Sequence, residues 1–188
     1  TALDRSGSGS TGTGTSTSTG TLAGRLQIQL LNGNLTFVQQ PLMLGHYRSL
    51  QLTGTEAVVD NHLGGAMTTA LSAGLYPDAP GTHRVFLNTR KNDDNPWQLP
   101  RPEAAIVIGL GEEGALDGTR LAESVCQGVK AWAQRASESG KSSPGFARGD
   151  GDGGGIELAA TLIGSGGLGM TPGAAARAIA HGVWLANQ

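Results

Sequence analysis

The chain has 188 residues, the length of one domain, and 38% of them are apolar, enough for a core. Glycine and proline, 31 and 8, make up about a fifth of it, and charged residues are only 15% where roughly a quarter is usual. A net charge of -2, a single cysteine (Cys126) and no apolar run near the roughly 18 residues of a membrane span argue against nucleic acid, charged or hydrocarbon membrane, disulfide frameworks and cysteine zinc clusters. The sequence opens without Met and without a basic-then-apolar leader. It is therefore read as a cytoplasmic fragment with no signal peptide.

Residues 1–24 read as a linker. Ser, Thr and Gly fill 18 of these positions, and the only apolar side chains are Ala2, Leu3, Leu22 and Ala23. Such a stretch buries too little surface to offset its backbone entropy, so it suits a tether. An ordered domain is expected over 25–188. Leu26, Ile28 and Leu30 alternate with Gln27 and Gln29, the period of a half-buried strand. Asn32-Gly33-Asn34 signals a turn, and Leu35 to Val38 resumes the strand pattern. Pro41 to Tyr47 reads as another extended piece. Thr55 to Gly74 reads as one or two short helices with Ala57, Val58, Leu63, Met67, Ala70 and Leu71 on the apolar face. Val85 to Leu87 is a short strand, and 88–102 a polar surface loop.

The second half carries stronger signals. Ala104 to Ile108 is a continuous apolar run, typical of a strand covered on both faces. Gly109 to Leu116 is expected to turn the chain into a helix over about 117–137, with Leu121, Val125, Val129, Trp132 and Ala136 on one stripe. A loop over 140–155 leads to a strand from Ile156 to Ile163, with Ala159 to Ile163 expected to be buried. Thr171-Pro172 then opens a last helix as N-cap and first-turn proline. Two strand-turn-helix units in succession predict parallel strands with right-handed crossovers.

Two glycine loops are candidates for chemistry. Gly109-Leu110-Gly111-Glu112-Glu113-Gly114 has the spacing of a dinucleotide fingerprint, but its two glutamates would stand where a pyrophosphate needs positive potential. It is read as a tight turn. Gly164-Ser165-Gly166-Gly167-Leu168-Gly169 carries no acid and leads into a helix N-terminus, where backbone N–H groups can converge on a phosphate oxygen. It reads equally as a plain turn. His46, His62, His83 and His181 lack metal-ligand spacing and are read as surface or capping residues. Ser165 has no nucleophile-elbow sequence, and Asp150 and Asp152 do not complete a calcium loop. No catalytic residue, metal or cofactor is assigned.

Taken together, the ordered pieces resemble a macro domain. Asn32-Gly33-Asn34-Leu35-Thr36 resembles that family's strand-end GD(I/L)T element, with Asn34 where the family carries its adenine-binding acid. Ala57 to Ala66, containing Asn61, Gly64 and Gly65, resembles its first glycine-rich loop, and Ile163 to Pro172 its second, phosphate-cradling loop. Leu63-Gly64-Gly65, Gly74-Leu75-Tyr76 and Val107 to Gly111 are similar to the non-catalytic N-terminal domain of leucyl aminopeptidases, itself macro-like. The stretch from Leu26 to Gln188 is also similar to a module of bacterial proteins that carry a caspase-like CHAT peptidase domain.

The resemblance implies a three-layer α/β fold: a mixed, mostly parallel sheet, helices on both faces, and the two glycine loops on one rim. It implies an accessory or regulatory module without activity of its own, partnered by a peptidase or effector domain in the same polypeptide or operon. The end at Asn187-Gln188, soon after the last helix, fits a truncated, processed or incomplete domain. The alternative implied is a domain binding ADP-ribose or a related nucleotide diphosphate. Gly164 to Gly169 would hold the phosphates, and Asn61, Gly64 and Gly65 would flank the distal ribose.

Overall fold

The computed structural model describes residues 26–90, 95, 100–139, 155–166 and 169–188. The expected linker over 1–24 and nearly all of the expected loop over 140–155 lie outside these residues, as do Gly167, Leu168 and most of 91–99. A short 3-10 turn, Leu35–Phe37, precedes strand β1, Leu42–Tyr47. Helices α1, Thr55–His62, and α2, Ala66–Ser72, follow, then strands β2, His83–Leu87, and β3, Ala104–Gly111. Helix α3, Gly118–Glu138, strand β4, Ala159–Ala160, and helix α4, Pro172–Ala186, complete the order.

The four strands form one open sheet in the order β2-β3-β1-β4. β1 lies parallel to both β3 and β4, and β2 runs antiparallel to β3. This is a mixed, mostly parallel α/β sheet. β3 is central, and all eight of its residues are buried. Alternation divides them between two cores. Ala104, Ile106, Ile108 and Leu110 join Met43 of β1 against Leu121, Val125, Val129 and Trp132 of α3. Ala105 and Val107 join Leu42 and Leu44 against Val59 of α1 and Met67 and Ala70 of α2. Helices thus cover both faces. Each fully buried Leu, Ile or Met contributes about 1.5–3 kcal/mol.

The helices form where the local chemistry asks for them. Asp117 caps α3 by accepting from Arg120 N–H at 2.9 Å. Gly128 lets α3 settle onto the sheet, since a Cβ there would stand 2.8 Å from Ile108 Cγ2 and 3.1 Å from Met43 Cε. Thr171 caps α4 by accepting from Ala174 N–H at 3.4 Å, with Pro172 in the first turn as expected. Among the described residues no helix is long and apolar enough to cross a membrane.

The structure departs from the sequence reading in four elements. Leu26 to Leu30 forms no strand, and Leu35 to Val38 gives a 3-10 turn instead of a strand. Asn34 is the cause of the second change: its Oδ1 accepts from both the N–H and the hydroxyl of Thr36 at 3.0 Å, a local bond that competes with extension. β3 continues through Gly109 to Gly111 because backbone partners are available there: the N–H groups of Gly109 and Gly111 donate to Thr82 and Asp78 carbonyls at 2.9 Å. β4 is two residues long instead of eight, and of Ala159 to Ile163 only Ile163 is buried. As an edge strand β4 has a neighbour, β1, on one side only.

Candidate functional site

Three parallel strands end on one rim of the sheet. β1 leaves this rim for α1 on one face, and its neighbour β3 leaves it for α3 on the other. The two crossovers travel in opposite directions on opposite faces, so they share one hand. The carboxyl ends of adjacent parallel strands are where open α/β sheets take ligands, so the rim between β1 and β3 is the candidate crevice.

Arg48 spans this crevice. Its N–H bonds the Gly111 carbonyl at 2.8 Å. Its guanidinium donates through Nε to Asp78 Oδ2 and through Nη1 to Glu112 Oε1, both at 3.0 Å. The bond to Asp78, with the charges of Asp78 and Glu112, raises the guanidinium above its ordinary range. The first glycine loop is shaped by packing. A Cβ on Gly109 would collide with the Ala79 carbonyl, and Gly111, at φ +79°, lies against Pro80.

A buried polar group lies beside the crevice on the α1 face. His46 is 1% exposed, and its Nδ1 stands 3.0 Å from both carboxylate oxygens of Glu56. The Tyr76 hydroxyl donates to Glu56 Oε1 at 2.9 Å, and the His46 and Tyr76 rings meet edge to face at 4.7 Å. Burial, followed by the charge of Glu56 and the bond to it, drives the Tyr76 phenol far above its ordinary range. His46 Nε2 is buried without a partner among the described residues, as is the Tyr47 hydroxyl on the opposite face. Burial and the charge of Glu113 raise the Tyr47 phenol.

This places His46 in the core, against its reading as a surface or capping residue. The signal was available: Leu42, Leu44 and His46 occupy alternate positions of one strand and so share its buried face. Glu56 carries no such signal in the sequence, since an acid in a first helical turn is ordinary dipole chemistry. Among the remaining histidines, His83 and His181 are exposed, His62 is half-buried, and His181 stacks on Trp184 at 5.8 Å.

The expected ligand residues fall into separate places. Gly164, Ser165, Gly166 and Gly169 follow β4 at the carboxyl rim; Gly167 and Leu168 are outside the described residues. The loop's amides largely close on the loop itself. Ser165 N–H donates to Leu162 at 3.1 Å, Gly169 N–H to Gly166 at 3.0 Å and Met170 N–H to Gly164 at 2.8 Å. Asn61, Gly64 and Gly65 sit at the other end of the sheet. The Asn61 carbonyl accepts from Arg90 Nη1 at 2.7 Å, and Arg90 follows β2, whose Leu87 pairs with Ala104 at the amino end of β3. The two glycine loops therefore occupy opposite rims, not one, because α1 carries the chain back across the sheet before Gly64. Asn34 is exposed and engaged with Thr36.

Asp60 holds the Gly64–Gly65 turn by accepting from Met67 N–H at 2.7 Å and the Thr68 hydroxyl at 2.5 Å. It also borders an open cavity of about 370 Å³ with Leu50, Leu52, Ala57, Asn61 and Leu71. Among the described residues no group of three or more His, Cys, Asp or Glu side chains could hold a metal ion. No protein-family model matches the chain, and no curated protein matches it.

Proposed function

We propose that the domain is a macro-like, non-catalytic accessory module of a larger cytoplasmic bacterial protein, one that positions or regulates a caspase-like CHAT peptidase domain in the same polypeptide or operon. The observation that carries this reading is the Arg48 bridge. The crevice between β1 and β3 is spanned by a side chain bound to Asp78 and Glu112, with the acid Glu113 alongside. An anionic substrate would have to displace two carboxylates to reach this guanidinium. Exposed apolar side chains, Leu50 at 95% and Phe37 at 72% among them, favour contact with a partner domain. The test is co-expression with the adjoining peptidase: a stable complex with altered peptidase turnover is expected, and unaltered turnover with no complex overturns the reading.

The nucleotide-diphosphate reading draws on one observation, the position of Gly164 to Gly169 just ahead of the capped N-terminus of α4. It competes with the bonds that Ser165, Gly169 and Met170 already make within the loop. Isothermal titration with ADP-ribose separates the two readings. No heat at about millimolar ligand, equivalent to about -4 kcal/mol, is expected for the accessory module.

A further inference from the structure

Among the described residues, two parts of the chain lack the partners that their chemistry calls for. The first is Leu26 to Leu31, in which apolar and Gln side chains alternate from Leu26 to Leu30 as in a strand with one apolar face. Ile28 is 65% exposed, Leu30 87% and Leu31 82%. Among the described residues, no backbone hydrogen bond joins residues 26–33 to another segment.

The second is the outer edge of β4. Ala159 and Thr161 turn their N–H groups inward, to the carbonyls of Pro41 and Met43 at 2.9 and 3.2 Å. Alternation turns the N–H and C=O of Ala160 outward, where no described strand meets them. Ile156 and Leu162 flank this edge at 46% and 42% exposure. The opposite edge of the sheet is guarded differently. β2 presents exposed His83 and Arg84, polar side chains of the kind that discourage edge pairing. No charged residue interrupts Leu26 to Leu31 or Leu158 to Ile163, so no charge repulsion opposes their pairing.

We propose that Leu26–Leu31 of one copy adds as a fifth strand to the β4 edge of a second copy, with the exchange returned, so that each copy gives and receives one strand. The chain's own turn points to a second copy. Leu35 and Val38 pack on the core of the α1 and α2 face, and Ile28 to Leu31 beyond them are exposed, while no described strand covers the β4 edge of the same chain. Reciprocal exchange of an identical element closes a two-fold pair in which the β4 edge of each copy is covered. It converts unpaired backbone groups into a ladder and covers Ile28 and Leu30 of both copies.

Sedimentation of the full chain over a wide concentration range tests this. A dimer is expected. Ala160→Pro removes an outward N–H that bonds nothing among the described residues, a change tolerated on edge strands. It should weaken dimerisation at least about tenfold, and Ile28→Pro, at an exposed position with no described backbone bond to the rest of the fold, should do the same. Unchanged circular dichroism would show that both variants fold. The Ile28→Cys, Ala160→Cys double variant should oxidise to a covalent dimer, with native Cys126 buried. A chain that stays monomeric, a dimer indifferent to Ala160→Pro, or a cross-link within one chain overturns the proposal.

Discussion

Both carboxylate oxygens of Glu56 lie 3.0 Å from Nδ1 of His46, and this contact ties α1 to β1 at the carboxyl end of the sheet. The same carboxylate accepts the Tyr76 hydroxyl, so one side chain holds three elements of the chain together. Glu56→Ala would strip the acceptor from two buried polar groups. A loss of about 3–5 kcal/mol is expected, the usual cost of leaving a buried partner unpaired. Glu56→Gln keeps the shape and should cost about 1–3 kcal/mol. Urea unfolding checks the order; equal losses would mean that packing, not the polar contact, holds α1.

Tyr76 gives the protein an alkaline weakness. Its phenol is raised by burial first and by Glu56 second, so the folded chain keeps a proton that the unfolded chain surrenders. A raised folded value contributes stability that is whole below the ordinary tyrosine value of about 10 and is lost as pH rises beyond it. Tyr47 acts in the same direction, through burial and Glu113. The melting temperature should therefore fall above about pH 10. Tyr76→Phe should start lower, having lost a bond to a carboxylate worth about 1.5–3 kcal/mol, and should fall less steeply. Parallel curves would show that Tyr76 takes no part.

Tyr47→Phe should behave differently. The Tyr47 hydroxyl is buried without a partner among the described residues, so its removal costs no bond and relieves a desolvated group. A change within about 0.5 kcal/mol, or a gain, is expected by chemical denaturation. A loss above about 1 kcal/mol would reveal a hydrogen bond to that hydroxyl.

The glycines of the two carboxyl-rim loops should separate by space. Gly109→Ala drives a Cβ into the Ala79 carbonyl, and Gly164→Ala puts one 2.8 Å from Leu116 Cδ2 at φ +79°. Each should cost more than about 1 kcal/mol. At Gly166 a Cβ meets no described atom within 4 Å, so Gly166→Ala should leave the melting temperature unchanged. Thermal melts of the three variants decide whether the second loop is a packed turn or an open cradle.

Elements with strong local signals were legible in the sequence. The stripe of Leu121, Val125, Val129 and Trp132 marked α3 to within a residue at its start, and Thr171-Pro172 marked the start of α4. The unbroken run from Ala104 marked the central strand. What depended on neighbours was not legible. Leu26 to Leu30 has a strand's period but no described strand beside it, and period alone cannot supply a partner. The length of β4 follows from its place at the edge, which no local pattern encodes. At the site, glycine spacing drew the eye to Asn61, Gly64 and Gly65, whereas the buried contact joins His46, Glu56 and Tyr76, scattered over thirty residues and brought together only by the fold.

The small residues between α3 and α4 bear on how the molecule yields to force. Gly182 brings α4 so near α3 that a Cβ there would stand 2.5 Å from the Ala122 carbonyl and 2.7 Å from Val125 Cβ. Two helices seated that closely behave as one stiff plate, and the turns that lead into them, after β3 and after β4, are bolted to the same plate. The opposite layer is built from helices of eight and seven residues, pinned at one end by a single carboxylate. Strain applied at the rim therefore flows toward the thin layer, and opening should begin there, at α1 and α2, while the thick layer keeps its shape.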